Sequence, residues 1–383
     1  MKFLDEYQNS ELATKLAHRI ASHSTKPIRL MEFCGGHTHA IMRYGIRQLV
    51  PETVEMRAGP GCPVCVTATT DLDKAIALAW LPNVIITTFG DMMRVPGSYS
   101  SLQRAKAEGA DVRVVYSTMD AVEIARENPK KSVIFIGIGF ETTAPTIAAS
   151  IIRAQQEGIE NFHVLSCLKL TPPVMKALLD SGEVKLDGII CPGHVSVIIG
   201  SRPYEFIPAD YGVACVISGF EPIDILLCVG KLVEQIEAGQ PKVEIAYRRG
   251  VKPQGNRKAL ELMEEVFQID GANWRGIGIV PQSGLKINQK YEHFDADKVF
   301  SGLLCSLLVA NKPVREPKGC RCGDVIRGVA IPLECHLFGK VCTPEKPIGP
   351  CMVSSEGACA AYYQYGSSPS PYSSLVRKGN FIT

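Results

Sequence analysis

The sequence predicts an α/β protein made of two Rossmann-like, doubly wound parallel-sheet units followed by a small cysteine-rich lobe. Three observations carry this. Short apolar, β-branched runs alternate with stretches that suit amphipathic helices, as in β-α-β units. The alternation occurs in two series. After about Phe300 the composition changes to prolines and cysteines.

Taken in order, residues 1–25 read as an N-terminal amphipathic helix, with Asp5, Glu6, Glu11, Lys15 and Arg19 among scattered apolar positions. The segment lacks the apolar centre of a signal peptide. Residues 26–120 form the first expected α/β domain. Its strands are Ile28–Phe33, Val54–Met56, Val84–Phe89 and Val112–Tyr116, with helices over Ala40–Leu49, Asp71–Ala79 and Ser101–Glu108. Residues 121–300 form the second, with strands Val133–Ile138, His163–Cys167, Gly188–Cys191 and Ala214–Ser218 and helices over Thr146–Gln156 and Val174–Leu179. The triplet Gly139-Phe140-Glu141 recurs as Gly219-Phe220-Glu221, each time after an apolar strand, a faint echo of related strand-to-helix turns. In residues 301–383, Pro313, Pro317, Pro332, Pro344, Pro347 and Pro350 break any long element. Six cysteines crowd into forty residues there, from Cys320 to Cys359, where little apolar surface is available for burial. A metal-stabilised lobe explains such a stretch. The tail from Gly366, rich in Ser, Pro and Tyr, is expected to be loosely ordered.

Composition removes several function classes. Lys and Arg number 41 against 39 Asp and Glu, a formal charge of +2, so no strong field gathers nucleic acid or anionic lipid. No apolar run approaches twenty residues, so no membrane span is expected. Fourteen cysteines in a long chain without secretion signals point to thiol or metal chemistry in a reducing, cytoplasmic setting.

In open parallel sheets, ligands bind beyond the carboxyl ends of the strands. Cys34 falls there and opens Cys34-Gly35-Gly36-His37-Thr38-His39. The two glycines allow a tight turn and close approach of the backbone. The positive end of the following helix is expected to stabilise a Cys34 thiolate near neutral pH. The bland alternative is a buried cysteine with solvated or capping histidines. In Gly59-Pro60-Gly61-Cys62-Pro63-Val64-Cys65, a Cys-x-x-Cys between strand and helix suits a dithiol–disulfide couple or half of a zinc site. No second Cys-x-x-Cys completes such a site, which favours the couple. Asp91, after the third strand, suits either orienting a histidine or capping the next helix, while Glu141 and His194 occupy comparable strand edges where such residues are often only hydrogen-bonded structure. In the lobe, Cys322, Cys335, Cys342 and Cys359 have the spacing C-x12-C-x6-C-x16-C. Four thiolates hold an iron–sulfur cluster or zinc, and the six cysteines offer several choices of four. Cys167, Cys191, Cys215, Cys228 and Cys305 lie in or beside apolar segments and are assigned to packing.

With these residues in hand, the chain resembles the HypD family of hydrogenase maturation factors over essentially its whole length. The resemblance rests on Cys34-Gly35-Gly36-His37-Thr38-His39-Ala40-Ile41, Gly59-Pro60-Gly61-Cys62-Pro63-Val64-Cys65, Gly139-Phe140-Glu141-Thr142-Thr143, Pro192-Gly193-His194-Val195-Ser196 and Ser354-Ser355-Glu356-Gly357-Ala358-Cys359. It implies two Rossmann-like units and an iron–sulfur lobe with a 4Fe–4S cluster. It also implies a complex with the small protein HypC, in which a transient iron gains two cyanide ligands and one carbon monoxide. HypE would donate the cyanide, and the hydrogenase large subunit would be served indirectly. The family's iron-site cysteine falls on Cys34 with His37 nearby, to bind a proton, orient an incoming ligand or hydrogen-bond a cyanide nitrogen. Its redox pair falls on Cys62 and Cys65, its functional glutamate on Glu356, and its cluster ligands on Cys322, Cys335, Cys342 and Cys359. Cys320 and Cys351 are extra to that pattern. No conventional turnover reaction follows from the sequence, and the resemblance implies an assembly scaffold.

Two rivals use the same cysteines. An iron–sulfur-dependent thiol/disulfide reductase would reduce the dithiol and then a protein disulfide, but it leaves Cys34 and His37 without a task. A zinc-stabilised binding module would be colourless, where a cluster protein is brown. A dinucleotide oxidoreductase is disfavoured because no G-x-G-x-x-G opens a helix after the first strand.

Overall fold

The computed structural model describes residues 9–304 and 314–366. Cys305 and the tail beyond Gly366 lie outside the described residues. Every expected strand forms: β1 (Ile28–Glu32), β2 (Val54–Ala58), β3 (Val84–Thr88), β4 (Val112–Val114), β5 (Ser132–Gly139), β6 (Phe162–Leu168), β7 (Gly188–Cys191) and β8 (Ala214–Ile217). A short β9 (Val243–Ile245) and a hairpin of β10 (Phe267–Trp274) and β11 (Gly278–Ile287) complete the set. Strands such as β3, Val-Ile-Ile-Thr-Thr, are buried throughout because helices cover both faces of a parallel sheet.

The strands do not group along the chain as the division at 120/121 expects. One parallel sheet has the order β2-β1-β7-β8-β9 and the other β4-β3-β5-β6. The second sheet is thus inserted between β2 and β7 of the first. Apolar periodicity marks a segment as a strand but carries no information about its partner, which tertiary packing selects. The paired triplets end β5 and β8, strands that hold different places in their sheets, so the echo does not mark a duplicated site.

In each sheet the chain proceeds outward from an inner strand on one side, then on the other. The crevices therefore open at the carboxyl ends between β1 and β7 and between β3 and β5. Two apolar layers flank the first sheet. One contains the helices Ser10–His23 and Pro222–Ala238, and the other gathers Phe33, Met175, Tyr204 and Ile217. On one face of the second sheet the core continues without a break into the cysteine-rich lobe, joining Ile136 and Trp274 to Cys62, Cys65, Cys322, Cys342, Cys351 and Cys359. The lobe therefore shares its apolar interior with the α/β body.

The hairpin supplies the join. Trp274 is almost fully buried, stacks on Phe140 with ring centroids 6.0 Å apart, and donates its indole N–H to Ser283 Oγ at 2.8 Å. The Arg275 backbone N–H donates to the Val66 carbonyl at 2.9 Å, and its buried guanidinium donates to the Thr67 carbonyl at 3.0 Å, which pins the Cys-x-x-Cys segment. Trp274→Ala should destabilise the protein by about 3–5 kcal/mol, the usual cost of emptying a large aromatic site. Trp274→Phe should keep much of that contribution. Urea unfolding checks both, and an alanine variant as stable as the parent would show that the hairpin is not the join.

Candidate metal and thiol site

Cys34 caps the helix Gly35–Arg43 at the carboxyl end of β1. This helix starts at Gly35 rather than at the expected Ala40. The Cys34 carbonyl accepts from the N–H groups of His37 and Thr38 at 2.9 and 3.1 Å, so both glycines lie in the first turn. Their lack of a side chain is a packing requirement. A Cβ on Gly35 would stand 2.5 Å from Glu356 Cβ, and one on Gly61 would stand 2.3 Å from the Cys34 nitrogen. The Gly35 N–H donates to the Gly61 carbonyl at 2.9 Å. Backbone-to-backbone packing thus sets the loop before Cys62 and the segment bearing Glu356 against Cys34.

Glu32 was not foreseen as part of the site. Its buried carboxylate accepts from the Cys34 N–H at 3.0 Å and from the Thr38 hydroxyl. Burial, partly offset by these bonds, holds its pKa well above the usual carboxylate range. The signal was present in the sequence as the one acid of the strand run Ile28–Phe33, two residues before the cysteine.

The expected thiolate at Cys34 is not what the structure supports. Burial, reinforced by the nearby charge of Glu356, pushes the Cys34 thiol up to about 12, and bonds from the Gly36 and His37 N–H groups recover only part of this. At 8% exposure, desolvation of an anion outweighs a short helix's end charge. His37 is fully buried, and its Nε2–H donates to the Gly219 carbonyl at 3.0 Å. Burial lowers its pKa to about 4, so the ring is neutral, with Nδ1 buried and without a hydrogen-bond partner. With its one N–H engaged, His37 in this state is an acceptor, and hydrogen-bonding to a cyanide nitrogen would require a second proton or release of Gly219.

Phe220, which the sequence marked only as part of an echo, organises the other wall. Its ring stacks on His37 at 4.6 Å and on His194 at 3.8 Å, and it lies 3.0 Å from where a Gly36 Cβ would be. His194 therefore joins the Cys34 site from the carboxyl end of β7. Glu141 does not join it. Its carboxylate accepts from the Thr171 N–H and hydroxyl at 2.8 and 2.9 Å, anchoring the start of the helix Thr171–Ser181. Asp91 lies close enough to Glu356 to raise its pKa further, after burial, which is the larger cause. His39 faces the lobe, 3.3 Å from the Ser355 carbonyl and edge-on to Tyr365.

Cys62 and Cys65 lie within disulfide reach, with Cα atoms 5.2 Å apart. They line one small cavity with Thr38, Cys351 and Glu356, and the Cys65 sulfur is 3.9 Å from the Pro350 carbonyl. Beyond Cys351 lie the lobe thiols. Cys322, Cys351 and Cys359 are in hydrogen-bonding contact with one another, and Cys320 contacts Cys322. Contacts from Cys322 and Cys351 pull the Cys359 thiol down to about 6, against the effect of burial. Cys342 is close enough to feel the charge of Cys322 and Cys320, and its sulfur accepts from the Ile348 N–H at 3.3 Å. Cys335 stands apart and more exposed, its sulfur 3.9 Å from the Gly319 carbonyl. Among the described residues no three His, Cys, Asp or Glu side chains form a ready cage for a single metal ion. Cys167, Cys191, Cys215 and Cys228 are buried in the cores, as their apolar surroundings implied. No helix of the described residues is long and apolar enough to cross a membrane.

Burial raises the Glu141 carboxyl to about 7 from an ordinary 4.5. Below the ordinary value it is protonated in both folded and unfolded chains. As pH rises through the window, the unfolded chain gives up its proton first, so this group's contribution to stability falls until about pH 7. Glu141→Gln should lack that loss, and its stability relative to the parent should rise between about pH 4.5 and about pH 7 in urea unfolding. A constant difference across the range would refute the assignment.

The chain is similar to known proteins over nearly its whole length. The HypD family model, described as "Hydrogenase formation hypA family", matches residues 11–366. The chain is 48% identical over 376 residues to the hydrogenase maturation factor HypD2 of Bradyrhizobium diazoefficiens, covering 96% of this chain and 97% of that protein. It is 46% identical to HypD of Cupriavidus necator over 96% of this chain and 97% of that one. It is 44% identical to HypD of Escherichia coli K12 over 95% and 98%.

Proposed function

Because this chain belongs to the HypD family of hydrogenase maturation factors, we propose that it is the scaffold on which, together with HypC, an iron receives two cyanides and one carbon monoxide for a nickel–iron hydrogenase. In this reading HypE donates the cyanide, the hydrogenase large subunit is the eventual recipient, and the work takes place in the cytoplasm. The observation that carries it is the packing of Cys34 through Gly61 and Gly35 onto the dithiol loop and Glu356 at the crevice between β1 and β7. Soft, low-spin iron favours a thiolate ligand, and Cys34 is the thiol placed at that crevice. Iron would have to displace its proton, so loading should release protons. His37, Phe220 and His194 wall the site.

Cys62 and Cys65 serve as the redox pair. Its reduction takes two electrons and two protons. Glu356, on the same cavity and with a raised pKa, is placed to pass protons to the departing sulfurs. The lobe thiols suit a resident 4Fe–4S cluster in their chemistry, and the proposed ligands are Cys322, Cys335, Cys342 and Cys359. Three of these already lie together, whereas Cys335 must swing in from the lobe surface. When bound, such a cluster supplies single electrons. The rival reading of a thiol/disulfide reductase uses the dithiol and lobe but leaves the Cys34, His37 and Phe220 wall without a task.

Cys34→Ser keeps the shape while replacing a soft ligand with a hard one of far higher pKa. The variant should form its complex with HypC yet lack the infrared bands of metal-bound cyanide and carbon monoxide, and it should stay brown. A serine variant that matured hydrogenase at the parental rate would remove Cys34 from the iron site. Cys342→Ala should lose the brown chromophore and destabilise the lobe, and full retention of iron would overturn the ligand assignment.

A further inference from the structure

Cys351 stands outside the proposed ligand set, yet the residue borders both the dithiol cavity and the lobe thiols. It is 1% exposed and sits in the short turn Pro350–Met352. On one side it lines the cavity of Cys62, Cys65 and Glu356, and the Cys65 sulfur meets the carbonyl of the preceding Pro350. On the other side its thiol is in hydrogen-bonding contact with Cys322 and Cys359. Its backbone is fixed as well, since a Cβ on Gly357 would fall 2.3 Å from the Cys351 carbonyl oxygen. The residue therefore lies between the dithiol cavity and two proposed cluster ligands.

We propose that Cys351 is a non-ligating thiol that donates its one hydrogen bond to a cluster thiolate, that of Cys322 or Cys359, and thereby raises the cluster's reduction potential. This rests on the cluster reading above. One-electron reduction adds a negative charge that spreads onto the ligating sulfurs. A donor aimed at them from a site closed to water stabilises the reduced form more than the oxidised one. The wall facing the dithiol is where such a donor has most effect on an electron passing between the two groups. A cysteine suits the place because its weak S–H donor leaves the pocket apolar.

The test is an anaerobic titration with dithionite of the full-length, reconstituted protein, following the reduced cluster by electron paramagnetic resonance. Cys351→Ala should keep the parental iron content and show a midpoint shifted to more negative potential. Cys351→Ser retains a donor at the same place and should recover most of the shift. Loss of the cluster in the alanine variant would make Cys351 a ligand and overturn the proposal. An unchanged midpoint with full iron would reduce Cys351 to packing and overturn it equally. If the parent protein itself takes up no cluster, the cluster reading fails first, an outcome distinct from either of these.

Discussion

The site depends on a backbone contact that no side chain could tolerate. Gly61 lies against the Cys34 nitrogen and Gly35 against Glu356, at distances where a Cβ would overlap neighbouring atoms. Through these two contacts the end of β1, the dithiol loop after β2 and the lobe segment around Glu356 meet at one crevice. Remove either approach and three groups from distant parts of the chain lose their common geometry. The neighbouring Gly36 and Gly193 extend the same packing to Phe220, so the histidine wall is set by it too.

The same packing controls the chemistry of Cys34. An exposed cysteine at a helix N-terminus has a lowered pKa, because the end of the helix stabilises a charge that water also solvates. Here the close approach of Gly61, Glu32 and Glu356 excludes water and places carboxyl groups nearby, and the balance turns toward the neutral thiol. A buried, protonated thiol is a poor nucleophile.

The lobe has too little apolar surface to stand alone, and it does not stand alone. Its thiols belong to the core that begins at Ile136 and passes through Trp274. Arg94 donates to the Pro344 and Val353 carbonyls at 3.0 Å each, and Arg57 to the Gly328 carbonyl at 2.9 Å, so side chains following β3 and at the end of β2 hold the lobe from the body. The distance between dithiol and lobe thiols is consequently fixed by the fold rather than by a hinge.

The strands, most helices and the chemistry-bearing cysteines were legible in the sequence, because β-branched runs, period and clustered thiols are local properties. So was the strand-end position of Cys34, and the HypD family likeness of five motifs in order. Strand partners were not legible, since periodicity is silent about which run lies beside which, and the second sheet proved to be inserted into the first. The hairpin carrying Trp274 was missed because its alternation is broken by Gly271, Gly276 and Gly278. The burial of Cys34, the engaged N–H of His37, the separation of Glu141 from His194, and the place of Cys351 beside Cys62 and Cys65 were decided only by the tertiary structure. Each depends on burial and on neighbours distant in the chain, and a sequence specifies these only through the fold it adopts.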